Sequence, residues 1–136
     1  MIPSYQRTLA RTLSDYLPIA EEIETFCARH ELPSGTHAKV RMIVEEMILN
    51  QIDHASGSTT DRLDLQIDVE PNRVVIVLVD DAEPFDPRCM PAFDKTTPLE
   101  QRRSRGMGLQ LVRSMSQSLD YERIDSRNRL RVAIAR

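Results

Sequence analysis

Apolar and polar residues follow two distinct periods along this chain, and each period predicts its own kind of element. Leu63, Leu65, Ile67 and Val69 alternate with polar neighbours, the period of a half-buried strand. Arg73 to Asp80 (RVVIVLVD) is a β-branched run that reads as the next antiparallel strand, with a tight turn at residues 71–73 between them. Tyr5 to Leu9 predicts a short first strand. Leu13, Leu17, Ala20, Ile23 and Phe26 then recur at helical spacing to about residue 30, with Ile19 on the flank of that face. Pro18 places the start of this helix, or a bend, near itself.

A turn at residues 32–36 offers Ser34 or Thr36 as N-cap for a second helix, whose apolar face is Val40, Ile43, Val44, Met47 and Ile48, running to Ala55. From Ala82 to Arg105 the pattern gives way to Pro, Asp, Thr and Arg, with isolated Phe85, Met90, Phe93 and Leu99. A connection this long inside a compact domain is more often a functional lid than a plain loop. Residues 106–119 recover helical spacing through Leu109, Val112 and Met115. Two last strands are expected around residues 121–124 and 130–135, joined by a turn at 126–128. The order strand, helix, helix, two strands, lid, helix, two strands predicts an α+β two-layer sandwich. A mixed, mostly antiparallel sheet would be covered on one face by three helices.

Length and charge narrow the functional classes. The 136 residues suit a single domain over 1–136 with one core. A formal net charge of −3 argues against a bulk electrostatic grip on nucleic acid or an anionic membrane, so any phosphate binding must be local. Cys27 and Cys89 stand in no metal-ligand spacing, and no apolar run is long enough to span a bilayer, which fits a cytoplasmic, reduced protein. Sparse aromatics and the absence of tryptophan leave no stacking surface for single strands.

Three motifs carry candidate chemistry. On the second helix Glu46, Asn50 and Asp53 fall in one narrow stripe that borders the apolar face, so groups there are half-buried. A carboxylate so placed can act as a general base, and an amide oxygen one turn away can complete the oxygen shell of Mg²⁺; a solvated helix flank has the same composition. His54, near the helix end, equally suits capping or packing. In VDDAEPFDP, residues 79–87, a wholly apolar strand ends in two carboxylates. An Asp there can accept from an exocyclic amine, although Asp and Pro also end strands for local reasons. In RRSRGMGLQLV, residues 102–112, two of the chain's four glycines open a helix behind Arg102, Arg103 and Arg105. Such glycines let backbone approach anionic oxygens at a helix N-terminus, or form a flexible joint in a solvated basic loop.

Taken in order, these motifs resemble a known set. E-x-x-x-N on a helix, D-x-G-x-x-F-D-P after a strand, a lid, and G-x-G opening a helix are the pattern of the GHKL or Bergerat ATP-binding fold. Within it, the EE-x-x-x-N-x-x-x-HA form at Glu45 to Ala55 and PFDP at Pro84 to Pro87 are similar to the anti-sigma factor serine/threonine kinases, the bacterial partner-switching regulators. The resemblance covers nearly the whole chain. It implies ATP and Mg²⁺ as ligands, Glu46 as general base with a possible water-mediated link to the metal, and Asn50 as the Mg²⁺ ligand. It places Asp80 at the adenine amine and Gly106 and Gly108 at the phosphates beneath a lid over about residues 82–105. Asp53, His54, Ala82, Phe85, Arg105, Met107 and Leu109 would line the nucleotide. The implied activity is phosphorylation of a serine on a STAS-domain anti-sigma factor antagonist, with a sigma factor as second partner, a homodimeric state, and no direct contact with nucleic acid or membrane.

The chain departs from that pattern at Ala82, where the family has glycine, at Glu83, where a small residue or proline is usual, and at Arg105, often Gly or Ser. A methyl at residue 82 would hinder close backbone approach to adenine. A second class therefore stands beside the kinase: a binding module of the same fold with weak or no nucleotide affinity. A detached histidine-kinase ATPase domain is a third, against which stands the lack of a preceding dimerisation helix with a phosphoacceptor histidine.

Overall fold

A computed structural model describes residues 2–54, 57, 60–86, 88 and 108–136. Five strands, β1 (Ser4–Ala10), β2 (Arg62–Val69), β3 (Arg73–Asp80), β4 (Ser118–Ile124) and β5 (Arg127–Ala135), form one sheet in the order β1-β2-β3-β5-β4. Three helices among the described residues, α1 (Leu13–Arg29), α2 (Ser34–His54) and α3 (Gly108–Met115), complete the α+β fold.

All four strand pairings are antiparallel, where the sequence allowed a mixed sheet. Chain path explains this. β2 and β3 form a hairpin closed by the Glu70 N–H donating to the Arg73 carbonyl at 2.8 Å. The chain then returns through α3 to the sheet edge as β4 and turns back as β5 into the place beside β3. Asp125 and Ser126 both adopt positive φ (51° and 62°), the conformation that a two-residue hairpin turn needs.

Alternation in β2 buries Leu63, Leu65, Ile67 and Val69, which join Val74, Ile76 and Leu78 of β3 and the helices in the main core. On the other face of the central strand β3, Val75 and Val77 pack with Ala133 in a small second cluster. α2 supplies Val40, Ile43, Val44, Met47 and Ile48, all 2 % exposed or less, and packs with both α1 and α3. Burying each such side chain contributes about 1.5–3 kcal/mol.

Several boundaries differ from the sequence reading. α1 starts at Leu13, not near Pro18, because the Thr12 hydroxyl accepts the Asp15 N–H and caps it; Pro18 lies inside. Its buried face is Tyr16, Ile19, Ile23, Phe26 and Cys27, which leaves Leu13 and Leu17 exposed. Neither Ser34 nor Thr36 precedes α2 as a cap; both lie in its first turn, where the His37 N–H donates to the Pro33 carbonyl. α3 ends at Met115 and β4 begins at Ser118, since the Gln117 N–H already donates to the Ala133 carbonyl and draws the chain onto the sheet. Among the described residues no helix is long and apolar enough to cross a membrane.

Candidate functional site

The stripe on α2 sits as its spacing predicts for two of its three members. Glu46 and Asn50 are half-buried along the border of the core face, whereas Asp53 is exposed. Below them, β3 ends at Asp80, which is 4 % exposed although it carries a carboxyl group. A buried carboxylate is tolerated only when donors surround it. Three do so here: the Ala82 N–H (2.9 Å) and the Asn128 Nδ2 (2.9 Å) donate to Oδ1, and the Gln51 Nε2 donates to Oδ2 at 2.8 Å.

Asn128 is the residue that the sequence reading missed. The sequence pattern places it in the β4–β5 turn, but the turn uses only residues 125 and 126, so Asn128 becomes a β5 residue directly opposite Asp80. Its amide is held from both ends. The Tyr121 hydroxyl and Arg123 Nη1 donate to its Oδ1, while its Nδ2 also donates to the carbonyls of Glu83 (2.9 Å) and Ala82 (3.3 Å). Arg123 Nη1 donates in addition to the Ala82 carbonyl at 2.7 Å. The chain leaving β3 is thus clamped to β4 and β5 at the position where the sequence carries Ala82, which is 3 % exposed. Only the register β3 to β5 could have revealed this, and register is not written in local sequence.

Asn50, Gln51, Asp80 and Phe85 share a small cavity with Leu109, Tyr121 and Asn128. Its volume of about 20 Å³ suits one water and is far too small for a purine. Larger hollows of about 460 and 620 Å³ lie on the far sheet face and between β1 and α1, and the residues that line them include none of Glu46, Asn50, Asp53, Asp80 or Gly108.

On the other side of Glu46, α3 begins at Gly108. A Cβ at Gly108 would stand 1.9 Å from Glu46 Oε2 and 2.8 Å from its Cδ, so the missing side chain is what leaves room for the carboxylate beside the helix N-terminus. Leu109, the next residue, is buried and closes the cavity. The phosphate-side residues Arg102, Arg103, Arg105, Gly106 and Met107, and most of the lid, lie outside the described residues, as does the side chain of His54.

In chemical terms the site joins a buried acceptor at Asp80, carboxylate and amide oxygens at Glu46 and Asn50, and a helix N-terminus at Gly108. Among the described residues no cluster of three His, Cys, Asp or Glu could hold a metal by itself. Mg²⁺ carried by phosphates needs only one or two protein oxygens, and Glu46 and Asn50 can supply them.

Comparison with known proteins bears on the fold and the family. No curated protein matches the sequence significantly. Among solved structures, a chain of the SiaB–SiaC complex from Pseudomonas aeruginosa superposes with a TM-score of 0.60 at 12 % identity, over 97 % of this chain and 89 % of that one, a likeness of fold. The family model for the histidine kinase-like ATPase domain matches residues 9–134, nearly the whole length, and the chain therefore belongs to the histidine kinase-like ATPase domain family.

Proposed function

We propose that this protein is an ATP-dependent serine/threonine protein kinase of the anti-sigma type. It would bind ATP with Mg²⁺ between α2 and the end of β3 and phosphorylate a serine on a STAS-type antagonist. The observation that carries the reading is the convergence of Glu46, Asn50, Asp80 and Gly108 on one site, from three separate elements.

The roles follow from position. Asp80 retains one open lone pair and accepts the exocyclic amine of the base. The N-terminus of α3, with Gly108 bare of a side chain, faces the phosphates. Asn50 would hold the metal, with Glu46 linked to it through water, and Mg²⁺ there would neutralise charge on the transferring phosphoryl group. Glu46 accepts the proton of the attacking serine hydroxyl, a role that needs a carboxylate beside the phosphates and little other covalent chemistry. Gly106, Met107 and Arg105 complete the phosphate side in this reading, with Asp53 and His54 at its border and Ala82, Phe85 and Leu109 around the base.

The partners follow from the resemblance: a STAS-domain antagonist as substrate and a sigma factor as the alternative client, served by a cytoplasmic homodimer of one-domain chains. A solved neighbour of the same fold is itself part of a two-protein complex, which supports a role in protein association.

Titration calorimetry with ATP and ADP, with and without Mg²⁺, tests the reading. Micromolar, Mg²⁺-dependent binding is expected. No detectable heat at millimolar nucleotide would instead favour a binding module that has kept the fold without the ligand. One specific observation speaks for that second reading: three protein donors already occupy Asp80, and the cavity beside it holds no more than a water.

A further inference from the structure

Gln51 belongs to none of the motifs, yet it touches the base-reading carboxylate directly. We infer that Gln51 is a base-selecting residue, its side-chain carbonyl accepting the second hydrogen of an exocyclic amine whose first hydrogen goes to Asp80. This deepens the nucleotide reading and rests on it.

An ionised carboxylate offers about four lone-pair positions, and three at Asp80 are filled by the Ala82 N–H, Asn128 and Gln51. The vacancy is on Oδ2, the oxygen that Gln51 Nε2 meets at 2.8 Å. Because a carboxylate oxygen accepts only, the Gln51 amide must present its nitrogen to Asp80, and its orientation is thereby fixed. Its Oε1 is left buried, with no hydrogen-bond partner among the described residues. Leaving a buried acceptor unmade is costly, and a ligand that supplies a donor there gains by relieving it.

Gln51 and Asp80 line the same cavity, so the unpaired Oε1 and the last lone pair of Oδ2 belong to one site. A primary amine has two hydrogens to match two acceptors. An oxo group at the same place on the ring would face both acceptors with none, and a site built around donor–acceptor pairs rejects the analogue that leaves them unpaired. The ligand class is therefore a 6-aminopurine nucleotide, discriminated from its 6-oxo counterpart at Gln51 as well as at Asp80. Entry of the base requires the cavity to widen, and Phe85, a half-buried wall residue on the segment that leaves β3, is the side chain placed to yield.

The test is calorimetric and uses ADP, inosine diphosphate and N6-methyl-ADP against the wild-type protein and Gln51→Met, which keeps the side chain's length and removes both its acceptor and its donor to Asp80. Wild type should prefer ADP to inosine diphosphate. Gln51→Met should bind ADP about five- to tenfold more weakly, while inosine diphosphate, relieved of one of the two acceptors that reject it, should bind no more weakly than before, so that the preference shrinks by at least that factor. N6-methyl-ADP, which has one N–H, should bind wild type more weakly than ADP does, and the variant should discriminate less between the two. An unchanged preference in Gln51→Met overturns the inference and leaves the nucleotide reading standing, as does tighter ADP binding, which would make Gln51 a plug. Equal wild-type affinity for ADP and N6-methyl-ADP overturns it even if the variant does not fold. No binding of any of the three to either protein removes the nucleotide reading, and this inference with it.

Discussion

The carboxylate of Glu46 occupies the space that a side chain on Gly108 would fill. A Cβ there would lie 1.9 Å from Oε2, closer than any non-bonded carbon and oxygen can approach. Two motifs more than sixty residues apart in sequence are thus matched in shape: the helix that carries the proposed base and the helix that opens on glycine. The glycine is required by this contact and not by its backbone conformation.

Gly108→Ala should therefore separate stability from activity. Only the far end of the flexible Glu46 side chain stands in the way, and alanine favours a helix over glycine by about 0.5–1 kcal/mol, so the melting temperature should hold or rise. Phosphotransfer should fall by about a hundredfold, as a displaced reacting group does. Single-turnover transfer to the antagonist serine checks this; full activity in the variant would show that Glu46 need not stand where it does.

Glu46→Gln should abolish phosphotransfer and leave ATP affinity nearly intact, since the amide keeps the shape and loses the proton acceptor. A large loss of binding would remove its assignment as base. Asn50→Ala should take away the Mg²⁺ dependence of nucleotide binding, and an unchanged dissociation constant with and without the metal would refute its role as ligand.

Asn128 is predicted to matter for stability before it matters for any ligand. Asn128→Ala deprives Asp80 and the carbonyls of Ala82 and Glu83 of a donor at once, and should cost about 1–3 kcal/mol in urea unfolding. Tyr121→Phe removes one donor to the Asn128 amide and should cost about 0.5–1.5 kcal/mol. A neutral result at Asn128 would mean that water replaces it without loss.

Cys27 is buried in α1, and its burial pushes the thiol pKa from 9.0 up to about 11, with Arg41 lowering it and Glu24 raising it. The folded state holds this proton more tightly than the unfolded chain does. Its contribution to stability is complete below pH 9 and is lost as the pH rises from 9 to about 11. Tyr16, pushed up to about 12 by burial and then by the charge of Glu45, adds to the same alkaline loss. Denaturant melts across that range check the slope. In a Cys89→Ser background, a thiol reagent near neutral pH should find no reactive cysteine until the protein is unfolded.

Local pattern alone determined most of the elements. Period-two alternation gave β2, a β-branched run gave β3, and helical spacing gave α2 with Glu46 and Asn50 half-buried on its border, because burial of one face writes itself into spacing. The E-x-x-x-N stripe and the Asp at the strand end were legible for the same reason. The tertiary structure alone decided what meets them. Leu13 and Leu17 carry the period of a core face yet stay exposed, since the packing direction of α1 is set by its neighbours and not by its own sequence. Asn128 reads as a turn residue until two positive-φ residues shorten the hairpin and strand register sets it against Asp80. Gln51 and Gly108 gain their meaning only from side chains that approach from other elements, Asp80 and Glu46. Spacing along one element records which face is buried; which partner lies across that face depends on contacts between residues distant in the chain, and no local period encodes them.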